Sequence, residues 1–513
     1  MLSGMLVPSY VCARGWEMTY ANLLTLLAFI IYLTLMLIIG FVTMKKTKKT
    51  DDYFLGGRSV GPWFTALSAE ASDMSSWLLM GLPGVAYFTG LKEAFWTALG
   101  LLIGTYLNWL FVAKRLRIYT VQAKNSITIP EFLANRFHDK SGIIKSIGAV
   151  LIILFFVIYT ASGFVACGKL FTSVFGMSYY TGLLLGVAVI LGYTLMGGYR
   201  AVVSTDFIQG TLMFIALGIT MFLGIRHAGG LSSTFSNLEA MGTQFVNPFA
   251  GEKYGIMNAI STLAWGLGYF GMPHILTRFM SIRRNEDIKT ARHISMIWVS
   301  ISMFCALIVG VVGKLIISPA YANQAAAESV FIDSAKLLFP TFIAGIFLCA
   351  ILAASMSTAD SQLLVASSAF AEDLYKTFVH KKASDKEVLM VSRISVIAIT
   401  LIAIFLALDA NSSVFRIVSY AWAGFGATFG PAILASVFWK KATRKGCIAA
   451  MISGGVTVIV WKQLEGGIFD LYELLPAFII ATLFLIVFSL CDKSDNSKVE
   501  AEFDQFQEIL KQS

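Results

Sequence analysis

The sequence predicts an all-α protein that crosses a membrane many times. Of its 513 residues, 57% are hydrophobic and only 13% are charged, about half the charged fraction of a soluble domain. Apolar runs recur along the whole chain, and each is long enough to cross a bilayer core of about 30 Å. The runs are continuous rather than alternating in hydrophobicity, which argues against an outer-membrane β-barrel.

About thirteen apolar segments are predicted to span the membrane within one membrane domain that covers residues 1–513. Numbered in chain order, spans 1 to 13 are 21–44, 62–88, 93–113, 143–168, 179–197, 205–226, 256–277, 294–317, 331–359, 391–409, 413–438, 446–462 and 470–491. The tail, 492–513, is predicted to form a short amphipathic helix and is too short for a catalytic domain. The sequence contains no GxxxxGK[ST] phosphate loop, so if the protein is a transporter we expect an ion gradient rather than ATP to supply its energy. No catalytic residues can be assigned, and we predict that the protein is not an enzyme.

The loops predict the orientation, because Lys and Arg concentrate on alternate sides of the membrane. With the N-terminus outside, most of the 39 Lys and Arg fall in the inner segments 45–58, 114–145, 197–204, 278–292, 376–393 and 440–445 and in the tail. This is the positive-inside distribution, and an odd number of spans then places the C-terminus inside. It also explains the net charge of +9 without a nucleic-acid partner.

The middle of span 2 reads SAEASDMSSWLLMGLPG and is unusually polar for a membrane segment. Glu70, Asp73 and four serines lie at membrane depth, where ionisable residues are costly and usually functional. Pro83 removes a backbone donor. We predict a helix break in this stretch that frees backbone carbonyls to bind a small cation. The alternative is a continuous helix whose serines bond to carbonyls one turn back.

Span 7 carries a second interruption in the stretch AWGLGYFGMPHIL. Three glycines and Pro273 interrupt its apolar run, and Trp265 and Tyr269, four residues apart, share one helix face. We predict a second broken helix here, with ordinary aromatic packing as the alternative.

Span 9 contains the stretch ILAASMSTADSQLL, in which Ser357 and Thr358 stand next to small residues. Small residues let another helix approach closely, and hydroxyl and carbonyl oxygens are the ligands that hard cations prefer. Simple small-residue packing is the alternative. A further acid, Asp206, enters span 6 within MGGYRAVVSTDFIQG.

The two predicted breaks lie five spans apart, and because five is odd, equivalent spans run in opposite directions. This spacing predicts a five-plus-five inverted repeat of the leucine-transporter type, with a broken first helix in each repeat. The first repeat is 62–226 and the second is 256–438. Segment 21–44 is then an extra N-terminal span, and 446–491 holds the extra C-terminal spans.

At these residues the sequence resembles the sodium/solute symporter family, most specifically its proline-transporting members. The stretches that carry the resemblance are SDMSSWLLMGLPG, RLRIYT, FFVIYTASGFV, GGYRAVVSTDFIQ, WGLGYFGMPHIL, ILAASMSTADSQLL, SSAFAEDLYK and SYAWAGFGATFGP. The resemblance implies sodium-coupled secondary active uptake of L-proline by alternating access across a bacterial cytoplasmic membrane. It implies Na⁺ as coupling ion and no cofactor.

The resemblance also implies the residues of the site. The implied sodium ligands are the carbonyls of Ala71, Met74 and Ala354 and the hydroxyls of Ser357 and Thr358, with Asp73 in support. The positions that match for proline are Ser75, Ser76, Trp77, Tyr159, Trp265, Tyr269 and Pro273. Arg58 matches a residue tied to coupling at the inner mouth. A candidate second cation site is composed of Asp206, Asp360 and Ser361, which leaves the sodium stoichiometry open.

Two alternatives to this function stay open at the level of sequence. The solute is expected to be proline, but pantothenate, another amino acid, a sugar or a monocarboxylate is the alternative. A proton is the alternative coupling ion, although the Ser357–Thr358 pair favours sodium because protons need no cage of neutral oxygens. The expected partners are proline, Na⁺ and the lipid bilayer, with no obligate protein partner.

Overall fold

The computed structural model describes residues 20–44, 50–196, 198–250 and 255–512. These residues are mostly helical and contain no β-strand. Nine helices of the described part are long and apolar enough to cross a membrane, and two shorter apolar helices cover Tyr179–Leu195 and Leu474–Leu490. The all-helical prediction is therefore confirmed, whereas the count of thirteen spans stays a prediction.

Helices occupy all of the predicted spans. In chain order they are Tyr20–Met44; Pro62–Ser76, Trp77–Gly81 and Leu82–Thr89; Leu91–Leu107, Asn108–Val112 and Ala113–Gln122; Ile143–Phe175; Tyr179–Met196; Tyr199–His227; Ile256–Leu263, Ala264–Gly271 and Pro273–Ser281; Asp287–Ile316; Thr341–Ser368 and Ala369–Val379; Asp385–Leu406; Val414–Phe438; Arg444–Trp461; and Leu474–Leu490. The helices between and after the spans are Thr50–Leu55, Gly56–Arg58, Ile129–Arg136, Leu231–Met241, Thr243–Phe245, Gln324–Ala327, Val330–Leu338, Gly467–Asp470 and Ser497–Gln512. The last of these is the helix predicted for the tail.

Hydroxyl side chains fix the starts of three consecutive spans. Ser384, Ser413 and Thr443 precede spans 10, 11 and 12, and each accepts a hydrogen bond from the backbone N–H three residues on. Such N-caps satisfy a donor that the first helical turn leaves unpaired. The first residue of each of these helices is therefore determined by a neighbouring residue in the sequence.

Span 9 begins later than predicted. The range 331–359 contains a separate helix, Val330–Leu338, and a new helix that starts at Thr341. Pro340 between them has an extended backbone (φ −57°, ψ 145°), and proline also disfavours helical geometry in the residue before it. The long helix that follows runs on through Ser357 and Thr358.

The two interrupted spans lie at the centre of the helix bundle. Span 2 packs against spans 6, 8 and 9, and the interrupted part of span 7 packs against spans 3 and 11. Span 1 contacts span 9, and much of its apolar surface is exposed. The fold thus brings both interruptions into the most buried layer.

Candidate functional site

Span 2 is interrupted at Ser75, ahead of the GLPG stretch. Ser75 has φ 51° and ψ −171°, a conformation that residues other than glycine rarely adopt. Pro83 instead sits in the first turn of Leu82–Thr89, after a π-helical turn over Trp77–Gly81, where its missing N–H is tolerated. The predicted break exists, but serine rather than proline marks it.

Three successive carbonyls before this break accept hydrogen bonds from side chains of other spans. They belong to Ala71, which accepts from Ser357 Oγ (2.8 Å), to Ser72, which accepts from Thr358 Oγ1 (2.9 Å), and to Asp73, which accepts from Tyr159 OH (3.1 Å). The donors come from spans 9 and 4. The broken helix is thus held in place by hydroxyl groups.

Three of the predicted sodium ligands converge at the span 2 break. Ser357 Oγ lies 2.8 Å from the Ala71 carbonyl oxygen and 3.2 Å from that of Ala354, and all three residues are buried. Thr358 joins them through the neighbouring carbonyl of Ser72. Every one of these atoms is a neutral oxygen, and a hydroxyl can turn its lone pairs toward a cation.

The other two predicted sodium residues face the neighbouring cavity. The Met74 carbonyl accepts a hydrogen bond from the Trp77 amide, and the Met74 side chain lines the cavity described next. The Asp73 carboxylate accepts a 2.5 Å hydrogen bond from Tyr269 OH. Asp73 therefore connects the two interrupted spans.

A small cavity lies between the two breaks and is walled by aromatic rings. Its lining residues are Asp73, Met74, Trp77, Leu101, Tyr159, Trp265, Tyr269, Val418 and Trp422. Four of the predicted substrate residues are among them, and sequence reasoning missed Leu101, Val418 and Trp422. The cavity holds about 10 Å³, room for roughly one water molecule, so a larger solute requires movement of the walls.

The remaining predicted substrate residues lie at the breaks themselves. Ser75 accepts a hydrogen bond from the Trp77 amide at its own Oγ (3.1 Å). Ser76 is fully buried. Pro273 begins the helix Pro273–Ser281 directly after an extended residue, Met272. These three residues shape the backbone beside the cavity.

The break in span 7 is built from a 3₁₀ segment, Ala264–Gly271. Two of its carbonyls accept hydrogen bonds from N–H groups of neighbouring spans. Trp422 Nε1 donates to the Trp265 carbonyl (2.7 Å), and Asn108 Nδ2 donates to the Tyr269 carbonyl (2.9 Å). The predicted second broken helix is therefore present.

Four rings, which we call the aromatic lid, cover one end of the cavity: Trp77, Trp265, Phe415 and Tyr472. The centroid of Trp265 lies 5.5 Å from that of Trp77, 5.3 Å from that of Phe415 and 5.2 Å from that of Tyr472. Beyond the lid is a polar vestibule of about 620 Å³ whose walls include Glu93, Arg416, Lys462 and Glu473. The lid separates this vestibule from the cavity.

At the opposite end of span 2, Arg58 ties three segments together. Its guanidinium donates to Asn125 Oδ1 (2.9 Å), to the Ser126 carbonyl (2.7 Å) and to the Met280 carbonyl (2.8 Å). Val60 and Ile282 form a parallel bridge beside it. The cavity is thus closed at this end as well.

An arginine lies where the sequence suggested a second cation. Arg278 donates to Asp206 Oδ2 (3.2 Å) and to Ser361 Oγ (2.5 Å), and its side chain is 1% exposed. Asp360 instead accepts a hydrogen bond from Thr194. Arg278 was assigned to an inner loop by its charge, and the structure corrects this, because the helix Pro273–Ser281 carries it into the core. The signal that could have found it is Asp206, a buried acid that needs a partner.

Comparison with known families agrees with this architecture. A profile described as the sodium:solute symporter family matches residues 53–454. The sodium/proline symporter of Escherichia coli (strain K12) is 47% identical over 483 residues, which cover 93% of this chain and 95% of the relative. The high-affinity proline transporter PutP of Bacillus subtilis (strain 168) is 44% identical over 478 residues, or 93% of this chain and 100% of the relative.

Solved structures share the fold at low sequence identity. A Na⁺-coupled sialic acid symporter, in a substrate-bound outward-open state, has a TM-score of 0.77 at 20% identity and covers 91% of this chain and 98% of its own. MhsT in complex with L-phenylalanine has a TM-score of 0.54 at 14% identity and covers 83% of this chain and 97% of its own. The leucine-transporter-type fold predicted from the two breaks is thereby confirmed.

Proposed function

The chain belongs to the sodium:solute symporter family, and on that premise we propose that it takes up L-proline together with Na⁺ by alternating access. Its relatives at 44–47% identity are named for proline transport. The observation that carries the proposal is the convergence of Ser357 Oγ with the Ala71 and Ala354 carbonyls beside an aromatic cavity.

The coupling ion is proposed to bind where span 9 meets the break in span 2. The Ala71 and Ala354 carbonyls and the Ser357 and Thr358 hydroxyls supply neutral oxygens, with the Met74 carbonyl at the edge. A cation there would hold spans 2 and 9 together. Because the same stretch of span 2 continues into the cavity wall, ion binding and proline binding favour each other reciprocally.

The cavity between the breaks is the proposed proline site. Trp77, Tyr159, Trp265 and Tyr269 offer apolar faces to a pyrrolidine ring, and a cation over such a face gains about 0.5–2 kcal/mol. Asp73 is the charged group on the wall, so we propose that it faces the secondary ammonium while Na⁺ lies on its backbone side. Ser75, Ser76 and Pro273 shape the breaks that carry these rings.

The chain is proposed to lie in a bacterial cytoplasmic membrane with its N-terminus outside and its C-terminus inside. The vestibule is then external, the aromatic lid is the outer gate, and Arg58 closes the inner mouth. Residues 62–226 and 256–438 are the proposed repeats that rock against each other. A thiol probe applied from outside should label Lys462→Cys in the vestibule and not Asn125→Cys near Arg58, and the reverse pattern would contradict this orientation.

Uptake of radiolabelled proline into proteoliposomes tests the ion site. With an inward Na⁺ gradient, Ser357→Ala should raise the Na⁺ concentration for half-maximal uptake by about tenfold or more. The matched control is Ser395→Ala, whose hydroxyl, within the described part of the chain, bonds only the carbonyl of Val391 one turn back. Sodium-independent uptake by the wild type, or an unchanged Na⁺ requirement in Ser357→Ala, would overturn the proposal.

The role of Asp73 is tested with the same vesicles. Asp73→Asn should weaken proline binding at saturating Na⁺ more than it changes the Na⁺ requirement, because the carboxylate faces the cavity and Tyr269. The identity of the solute is tested by competition in wild-type vesicles. The unlabelled competitors are pantothenate, other amino acids, sugars and monocarboxylates. A competitor that inhibits labelled uptake better than unlabelled proline does would be the preferred substrate.

A further inference from the structure

The helix of the tail, Ser497–Gln512, is docked on the body of the protein. Val499, Phe503 and Phe506 form its buried face, at the i, i+4, i+7 spacing of one side of a helix. The ring of Phe506 stacks on that of Tyr119, with the centroids 4.2 Å apart and the planes at 10° to each other. The tail helix therefore covers the end of span 3 that lies on the proposed inner side.

Polar contacts attach the tail helix to both proposed repeats. Gln122 Nε2 donates to the Glu502 carbonyl (2.8 Å), and His138 Nε2 lies 2.9 Å from the Glu502 carboxylate. Lys440 Nζ, just after span 11, donates to Asp504 Oδ2 (2.6 Å). Gln122 and His138 belong to the first proposed repeat, whereas Lys440 directly follows the second. The tail helix therefore joins the two repeats at the inner mouth.

The segment that the tail helix holds is also the segment that Arg58 holds. Tyr119 and Gln122 contact the tail helix. A few residues further on, Asn125 Oδ1 and the Ser126 carbonyl accept hydrogen bonds from Arg58. One short stretch of chain thus carries both sets of contacts that close the inner mouth. Any motion that pulls this stretch away from Arg58 also pulls on the tail helix.

A buried arginine beneath the tail helix allows the helix to detach. The Arg136 guanidinium carbon lies 5.2 Å from the ring centroid of Phe503 and 5.3 Å from that of Tyr119. Its Nε donates to the Ser436 carbonyl (3.1 Å), but Nη1 and Nη2 have no hydrogen-bond partner in the described part of the chain. Cation–π contacts therefore stabilise the docked helix, whereas release would let water hydrate these two nitrogens. Each arrangement stabilises the cation in its own way, so release leaves no charge buried without a partner.

We propose that the tail helix is a strap that holds the inner mouth closed and must be released before the carrier opens to the cytoplasm. The inference rests on the proposed function and adds a step that limits its rate. While the helix is docked, the stretch that bonds Arg58 stays in place and the inner mouth stays shut. Because opening requires release, the rate of turnover follows the fraction of chains whose tail helix has detached. Binding of proline and Na⁺ from the outer side does not depend on release.

Weakening the strap should speed uptake into proteoliposomes. Phe506→Ala removes the stack on Tyr119, so the released fraction should rise, and the initial rate at saturating proline and Na⁺ should increase about two- to tenfold. The affinity of the purified protein for proline should not change. The matched control is Ile509→Ala on the outer side of the same helix, where the side chain is 43% exposed, and it should change neither quantity. An equal or slower rate in Phe506→Ala protein that still binds proline would overturn the inference.

Locking the strap gives the opposite test. Lys440→Cys and Asp504→Cys are combined with Cys491→Ser, which removes an exposed native thiol, and are joined by a short bifunctional thiol reagent. The cross-link, measured by mass spectrometry, should nearly abolish proline uptake, and a reductant that cleaves it should restore uptake. Each single-cysteine variant treated with the same reagent should keep its uptake. Cross-linked protein that transports at the untreated rate would overturn the inference, whereas wild-type uptake that ignores Na⁺ would instead contradict the proposed function.

Discussion

The two helix breaks look alike in sequence, but their backbone carbonyls meet different partners. At the break in span 2 the carbonyls of Ala71 and Ser72 accept from hydroxyls. At the break in span 7 the carbonyls of Trp265 and Tyr269 accept from the indole of Trp422 and the amide of Asn108.

We propose that this difference separates the ion site from the substrate site. A hydroxyl has lone pairs and can turn from donor to ligand when a cation arrives, whereas an indole N–H is only a donor. Interrupted spans alone therefore do not predict where a cation binds. The chemistry of the groups that satisfy the freed carbonyls is the better guide, and it supports the proposed Na⁺ site at span 2 and the proposed substrate wall at span 7.

The largest effect is expected from adding a side chain where the backbone of the span 7 break touches the backbone of span 11. A Cβ at Gly271 would lie 2.3 Å from the Phe425 carbonyl oxygen and 2.7 Å from the Gly430 nitrogen. The backbone atoms cannot move to relieve this clash as a flexible side chain could. Gly271→Ala should therefore lower the free energy of unfolding by about 3 kcal/mol and abolish uptake. Thermal unfolding of the purified protein measures the loss.

The control for this substitution is Gly218→Ala in span 6, where an added Cβ meets nothing within 4 Å. It should leave stability unchanged or raise it by up to about 1 kcal/mol. Equal behaviour of the two variants would show that the span 7 break is not held by close packing.

Removal of one hydroxyl from the span 2 break should change ion binding alone. Thr358→Val keeps the shape of the side chain but removes the donor to the Ser72 carbonyl, and the Na⁺ concentration for half-maximal uptake should rise about tenfold. Thr428→Val is the control, because among the residues that the structure describes its hydroxyl bonds only carbonyls of its own helix. A change in proline affinity at saturating Na⁺, with no change in the Na⁺ requirement, would reverse the assignment of the breaks.

The complementary substitution acts on the span 7 break. Trp422→Phe removes the donor to the Trp265 carbonyl, at a cost of about 1 kcal/mol, and should raise the KM for proline about fivefold at saturating Na⁺. Trp461→Phe, which loses a hydrogen bond to Leu471 instead, should not. If Trp422→Phe mainly raised the Na⁺ requirement, the two breaks would share one function.

The sequence predicted both breaks because glycine, serine and proline disfavour a continuous helix wherever they cluster. It did not place the first one at Ser75, since the hydrogen bonds that hold the turn before Ser75 come from Tyr159, Ser357 and Thr358, residues far apart in the chain. Pro83, the strongest local signal, turned out to be compatible with a helix start.

The residues of the candidate site that stand in distinctive motifs were predictable from the sequence. Arg278, which stands in a basic segment typical of a loop, was not. Ser357, Trp265 and Tyr269 stand in distinctive stretches, and the structure brings each beside a break. Arg278 was assigned to a solvated loop because its segment is basic. Only the packing of spans 2, 6, 7 and 9 around Asp206 reveals that it is buried. Trp422 was missed because an aromatic residue in an apolar span carries no sign of which cavity it lines.

The smallest effect, and the sharpest test of the span 2 break, is expected at Ser75. Its backbone conformation costs a non-glycine residue about 1–3 kcal/mol, while its hydroxyl accepts from the Trp77 amide, a bond that contributes about 1 kcal/mol. Ser75→Gly removes both, so the two changes oppose each other and the net gain in stability over the wild type should be no more than about 2 kcal/mol. Ser75→Ala keeps the strain and loses the bond, so it should unfold more easily than Ser75→Gly. Equal stability of the two variants would mean that the backbone at residue 75 is not strained. A difference in favour of glycine would mean that the contacts from spans 4 and 9 hold span 2 in a shape its own sequence disfavours.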